Sequence, residues 1–348
     1  MKTLAVLVEP ANYTLDLIRR IYAPRGVAHV FIKRSSLASS DNCDSGSLNS
    51  ISILNRIQTV YALLKKYDVF HINGYTEGTC LIFIILNILF FKKPFSIDSD
   101  TELIIPKKLA KRLAKWLWLH FLFTRPYCYG FAGGNYGHKE LFRHYGMAEN
   151  RIYLMPMMVD NERYRRKLLD CPHKPFRFAY LGRLIALKQV DRIIEALPNG
   201  CELHIVGDGE ERLKLETMAN GKSVIFHGKA FGDEKIKLLH SFDCLVLYSY
   251  YEPWGLVINE ALASGIPVIV SNRVGARKDL VEGEDATGLV AKWDSVDDLS
   301  DKMRQMSQDF ELRNRLAQNA MKRMAKWDYG LYGRQYDKFI SDIGAREK

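Results

Sequence analysis

The chain has 348 residues, is 47% hydrophobic and 26% charged, and carries a formal net charge of +10. At roughly 100–200 residues per domain, the length predicts two domains of ordinary soluble globular composition. The positive charge leaves three kinds of partner open: nucleic acid, an anionic membrane surface, or phosphate-bearing substrates.

Six cysteines, Cys43, Cys80, Cys128, Cys171, Cys201 and Cys244, are scattered without a C-x-x-C pair or metal-ligand spacing. They read as free, mostly buried thiols of a reducing cytosol. The first apolar stretch, residues 4–8, ends at Glu9 and is shorter than the apolar region of about 7–15 residues that a signal peptide needs. The longest apolar run, residues 80–91, is broken by Asn87 and falls short of the roughly 20 residues of a membrane span. The expected location is therefore cytoplasmic.

In chain order, residues 4–8 and 27–32 predict strands, and 35–50 a loop rich in Ser, Asp, Asn and Gly. A helix at 51–66 leads to a strand at 68–72 containing His71. A helix at 79–90 leads to a strand at 95–97 that stops at Asp98. Next, Lys107, Lys108, Lys111, Arg112 and Lys115 recur at helical spacing over 106–123, and Leu109, Leu113, Trp116 and Leu117 form an apolar stripe on the same helix. Trp118, Leu119, Phe121, Leu122 and Phe123 follow, and no acidic residue falls between 104 and 128. This is either a basic amphipathic helix for a membrane surface or a core-packed helix with a solvated basic face. The first reading makes the protein peripheral at the inner face of the cytoplasmic membrane.

A short strand at 152–155 precedes an aperiodic stretch, 165–175, where the domain boundary is expected. A second series of strands and helices follows: strands at 177–181, 202–206, 224–227, 244–248, 268–271 and 289–291, alternating with helices. The fold class is α/β, with two Rossmann-like doubly wound domains, 1–165 and 176–325. The tail, 311–343, predicts one helix, its portion from 326 to 348 crossing back to the first domain.

Chemistry-bearing residues fall after the strands of the second series. Gly182, Arg183 and Lys188 follow one strand, the two cations five residues apart, and both can reach a diphosphate from one loop. Glu252 and Glu260 are separated by seven residues around a Pro253–Trp254–Gly255 turn, ahead of a helix that ends near Gly265 and Pro267. Both carboxylates flank a helix start, whose N–H groups attract phosphate.

These segments resemble the retaining glycosyltransferases of family 4, which have the GT-B fold. The resemblance rests on Gly182–Arg183, Lys188, Gly207–Asp208–Gly209, Glu252 to Glu260, then Ala261, Ala263, Gly265, Pro267 and Val268, with 271–275 and 287–290 in order. It covers residues 150–330 strongly and the first domain weakly. It implies two domains facing a central cleft, a nucleotide-diphosphate-sugar donor, most often UDP- or GDP-linked, and no metal or cofactor. It implies that Arg183 and Lys188 bind the diphosphate and Glu260 the ribose. Glu252 with the Trp254, Gly255 and Leu256 backbone would hold sugar and phosphate, making Glu252, Arg183 and Lys188 the catalytic set. Gly228, Lys229, Ala230 and Phe231 would lie against the base, and Gly207 would belong to the same donor-binding set. The acceptor would be a glycan or lipid-linked glycan of surface polysaccharide synthesis.

Two departures stand out. After the first strand the chain reads Glu9–Pro10–Ala11 in place of a Gly-Gly loop, and no His ends the strand at Asp98–Ser99–Asp100. Asp98 and Asp100 read as acceptor-side or structural, and His71 as a cleft or structural residue. A dehydrogenase would need an early G-x-G-x-x-G, which is absent. No nucleic-acid-binding motif is visible. An epimerase would not explain the glutamate pair, and a non-catalytic partner subunit is the rival from another class.

Overall fold

The computed structural model describes residues 1–33, 47–99, 101–168 and 172–346. Cys43, Asp100, Cys171 and most of the loop expected at 35–50 lie outside the described residues. The chain divides into two compact units, Met1–Met157 with Tyr329–Lys348, and Met158–Asp328.

The first unit holds β1 (Thr3–Leu7), α1 (Asn12–Leu17), β2 (Ala28–Phe31), α2 (Ile53–Lys66), β3 (Val69–Ile72), α3 (Gly78–Leu86), β4 (Phe95–Ser99), α4 (Leu109–Phe123), β5 (Cys128–Ala132), α5 (Gly137–His144) and β6 (Ile152–Leu154). The second holds α6 (Asn161–Tyr164), β7 (Phe176–Leu181), α7 (Val190–Ala196), β8 (Cys201–Val206), α8 (Arg212–Met218), β9 (Val224–Gly228), α9 (Gly232–His240), β10 (Cys244–Leu247), α10 (Leu256–Ala263), β11 (Val268–Ser271), β12 (Gly288–Ala291), α11 (Val296–Gln308) and α12 (Phe310–Met324). The last helix, α13 (Tyr329–Arg346), returns to the first unit.

Each unit is built on one parallel six-stranded sheet among the described residues, ordered β2-β1-β3-β4-β5-β6 and β12-β11-β10-β7-β8-β9. Parallel strands need crossover helices, and these bury both sheet faces. That is why β1, β3 and β5 are buried at every residue. Ser52, Ser295 and Asp309 accept first-turn N–H bonds and so start α2, α11 and α12.

Side chains alternate across a strand, which gives the first sheet two distinct cores. Phe70, Ile72, Phe95 and Ile97 pack with Val60, Leu64, Phe83, Leu119, Leu122 and Phe142 of α2 to α5. On the other face lie His71, Phe131, Tyr22, Tyr336 and Phe339. His71 is fully buried; Nδ1 is 2.9 Å from Ser96 Oγ and Nε2 is 2.8 Å from Tyr336 Oη. Its ring lies 5.1 Å from Phe131 and 5.6 Å from Phe339. His71 therefore anchors α13. Arg25 adds a two-pronged bond to Asp337, at 2.7 and 2.9 Å.

Three expectations change. The first unit ends at Met157, ahead of residue 165, because α6 packs on α10: Ser264 Oγ donates to the Tyr164 carbonyl at 2.8 Å. The tail is two helices, not one. Asn161 Nδ2 donates to the carbonyls of Met324 (2.8 Å) and Trp327 (3.1 Å), and Trp327 stacks on Trp254 at 5.7 Å. Those contacts hold residues 325–328 in a turn. Finally, the helix expected at 79–90 is present, but it widens after α3 into a π-helical last turn, Asn87–Phe91, where the buried Asn87 amide bonds both the N–H and the carbonyl of Lys93.

Burial lowers the His71 pKa from 6.5 to about 3. The unfolded chain therefore takes up this proton first, and the stability it contributes is complete above about pH 6.5 and falls as pH drops toward about 3. Urea unfolding between about pH 7 and 5 should show a decline in stability that His71→Gln flattens by roughly one proton. An unchanged slope would count against the buried neutral imidazole.

Candidate active site

Numbered from β7, the second sheet has the order 3-2-1-4-5-6, which reverses direction between β7 and β10. Doubly wound sheets bind ligands at such a switch point, outside the carboxyl ends of the strands. Here the loop after β7 carries Gly182, Arg183 and Lys188, and the loop after β10 carries Glu252. Lys188 Nζ donates to Glu252 Oε2 across the gap, with the two side chains 14% and 15% exposed. Arg183 is exposed on the same loop, and its carbonyl accepts the Tyr180 hydroxyl at 2.8 Å. Burial, then the nearby Glu252 charge, raises the Tyr180 pKa, so the phenol stays a donor.

Glycines let the loops approach. A Cβ on Gly207 would lie 1.8 Å from the Gly182 carbonyl oxygen, and one on Gly275 would lie 1.9 Å from that of Pro253. Backbone bonds fill those contacts: Gly182 N–H to Val206 (3.0 Å), Gly207 N–H to Gly228 (2.7 Å), and Gly275 N–H to Glu252 (2.9 Å). The ends of β7, β8, β9, β10 and β11 thus form one hydrogen-bonded rim.

Gly255, at φ +94°, turns the chain into α10, which no side chain caps. The positive end of the helix dipole therefore faces the same loop as Glu252. Glu260 lies in the second turn and is buried. Its Oε1 accepts the Tyr164 hydroxyl at 3.0 Å and Lys235 Nζ at 2.6 Å. Beyond β9, Lys229 and Phe231 are exposed and Ala230 is half-buried; Phe231 precedes α9. Leu256 is half-buried in the first turn of α10.

The structure thus places Gly182, Arg183, Lys188, Gly207, Gly228, Glu252, Gly255 and Leu256 along one rim, with Glu260 behind it. Trp254 differs. Its indole is buried, donates to Asn259 Oδ1 at 2.8 Å and stacks on Trp327, and its carbonyl accepts the Ala276 N–H at 3.2 Å. Lys235 and Tyr164 were not singled out from the sequence, because neither belongs to the spaced motif. Asp98, in the first unit, lies close enough to Tyr22 and Tyr332 to add to the rise of their pKa values, which burial dominates.

Two doubly wound parallel sheets of this order make the GT-B fold. Residues 160–323 match the family model described as glycosyl transferases group 1. The sulfoquinovosyl transferase SQD2 of Arabidopsis thaliana is 29% identical over 206 residues, covering 55% of this chain and 40% of that protein. A Campylobacter jejuni enzyme, N,N'-diacetylbacillosaminyl-diphospho-undecaprenol alpha-1,3-N-acetylgalactosaminyltransferase, is 26% identical over 229 residues, 60% of each chain. The match therefore spans less than two thirds of either relative. The crystal structure of Anabaena Alr3699/HepE with UDP aligns over 98% of this chain and 100% of its own, with a TM-score of 0.78 and 18% identity. That likeness carries the fold.

The rim makes a direct prediction. Gly207→Ala should destabilise the protein by at least about 2 kcal/mol, since a backbone carbonyl occupies the Cβ position. Gly78→Ala, where a Cβ meets nothing within 4 Å, serves as the control. Equal melting temperatures for the two variants would contradict the packing.

Proposed function

We propose that the protein is a retaining, metal-independent glycosyltransferase. It moves a sugar from a UDP- or GDP-sugar to a glycan or lipid-linked acceptor in surface polysaccharide synthesis. The observation that carries this reading is the Lys188–Glu252 pair at the switch point of the second sheet. A departing nucleoside diphosphate gains negative charge at the reacting bond. Lys188, Arg183 and the uncapped start of α10 supply fixed positive potential for that charge, without a metal. Glu252, freed from Lys188 as the phosphate takes the cation, accepts hydroxyls of the donor sugar. Glu260 accepts ribose hydroxyls, and the 228–231 segment flanks the base. UDP in the HepE crystal and the diphospho-undecaprenol group in the name of the Campylobacter relative favour these donor and acceptor classes.

The surface of the first unit favours a membrane-borne acceptor. On α4, Leu109 (73% exposed), Leu113 (55%), Leu117 (55%) and Phe121 face solvent, while Leu119, Leu122 and Phe123 take the core. The stripe in the 106–123 segment is thus an outer one, and Lys107, Lys108, Lys111 and Arg112 are exposed around it. Ile53, Leu54 and Ile57 of α2, and Leu89 and Phe90 after α3, are further exposed apolar residues of this unit. No helix among the described residues is long and apolar enough to cross a membrane. The exposed apolar and basic mix suits a peripheral seat on anionic lipid at the cytoplasmic face.

Lys188→Ala or Glu252→Ala should lower turnover about 100-fold or more with melting temperature preserved, assayed as nucleotide released from a panel of UDP-, GDP-, ADP- and dTDP-sugars. Near-normal turnover in both would refute the site. Replacing Lys107, Lys108 and Lys111 by Glu should abolish co-sedimentation with phosphatidylglycerol vesicles; undiminished sedimentation would refute the membrane seat.

A further inference from the structure

Glu260 is held in an unusual way for a residue meant to meet a ligand. Its side chain is only 10% exposed. Tyr164 Oη and Lys235 Nζ both bond to Oε1, at 3.0 and 2.6 Å. Lys235 Nζ also lies 2.5 Å from Oε2, so the one ammonium spans both carboxylate oxygens. With the Tyr164 phenol as a further donor to Oε1, the carboxylate is fixed in one orientation.

The two partners are themselves fixed. The Tyr164 carbonyl accepts Ser264 Oγ at 2.8 Å, and Ser264 stands one turn beyond Glu260, at the C-terminal cap of α10. His240 Nε2 lies 2.9 Å from the same carbonyl. Lys235 projects from α9, just after the exposed Phe231. Arg163 and Asp233, at 3.0 Å, tie α6 to α9 a second time. Three helices thus converge on one carboxylate.

We infer that Lys235 and Tyr164 are positioning residues that hold the Glu260 carboxylate in one orientation for the ribose of the donor, so that this clamp sets the preference for ribose over deoxyribose. The inference rests on the reading of Glu260 as the ribose carboxylate. A carboxylate held in one orientation spends no rotamer freedom when a hydroxyl donates to it. A freed carboxylate would swing, and a site built to accept a hydroxyl rejects the analogue lacking it only while its acceptor stays aimed. Lys235 in this account touches the carboxylate and not the reacting bond. Its loss changes nucleotide affinity and leaves the chemical step.

The test is titration of the full chain with UDP and 2′-deoxy-UDP, and with GDP and 2′-deoxy-GDP, by calorimetry. The wild type should favour the ribose form of its nucleotide by about tenfold or more. Lys235→Met should erase most of that preference by weakening the ribose form while the deoxy form binds as before. Lys235→Arg should restore it in part, and Tyr164→Phe should lower it by a smaller factor. Turnover at saturating donor should be unchanged in Lys235→Met, with KM raised. If Glu260→Gln loses the preference and Lys235→Met keeps it, the positioning role is overturned while the ribose site stands. If Glu260→Gln keeps it, or neither nucleotide pair binds, the underlying reading of Glu260 falls, and the inference with it.

Discussion

The site depends on one ion pair at one topological position. Lys188 and Glu252 come from strands β7 and β10, which are neighbours in the sheet and are separated in the chain by two further strands. A parallel sheet that reverses its winding between these strands sends the loops above them in opposite directions and leaves a crevice. The pair lies in that crevice, partly dried, at 14% and 15% exposure. Such a pair is weak as a source of stability, because desolvation offsets much of the Coulomb attraction. In the function proposed above, each member exchanges its partner for a group of the ligand: the ammonium for a phosphate oxygen, the carboxylate for a sugar hydroxyl.

The crevice can be this narrow because the loops meet backbone to backbone. Gly207 against Gly182, and Gly275 against Pro253, put carbonyl oxygens where any other residue would put Cβ. The N–H groups of Gly182, Gly207 and Gly275 are bonded within the rim, so the rim is rigid before any ligand arrives. Preorganisation of this kind places dipoles without a reorganisation cost at the moment of reaction. The first unit uses its buried polar groups differently. His71, Ser96 and Tyr336 satisfy one another beneath α13 and hold the C-terminal helix in place.

Much of this was legible from local spacing. The Gly182–Arg183 to Lys188 interval, the Glu252 to Glu260 interval and the Gly207 turn each lie within one loop or one loop and its helix, where sequence distance dictates spatial distance. The alternation of strands and helices gave the two doubly wound sheets for the same reason. What stayed hidden is non-local. Lys235 and Tyr164 meet Glu260 from 25 and 96 positions away, and no periodicity announces that. Asn161 breaks the tail helix by bonding carbonyls at Met324 and Trp327. Helix α4 has apolar residues on two faces, and periodicity alone left open which of them meets the core; Leu119, Leu122 and Phe123 do, and Leu109, Leu113 and Leu117 do not. Trp254 sits inside the motif, yet its indole packs inward on Trp327, because a motif position fixes the backbone and not the side chain.

The central claim is that a nucleoside diphosphate occupies the rim at the switch point of the second sheet. Hydrogen–deuterium exchange of the full chain, with and without saturating UDP and GDP, tests it most directly. The account predicts added protection confined to the loops that carry Gly182 to Lys188, Gly228 to Lys235 and Glu252 to Glu260, with the strands beneath them unchanged. Protection elsewhere in the chain, or none with either nucleotide, would contradict it.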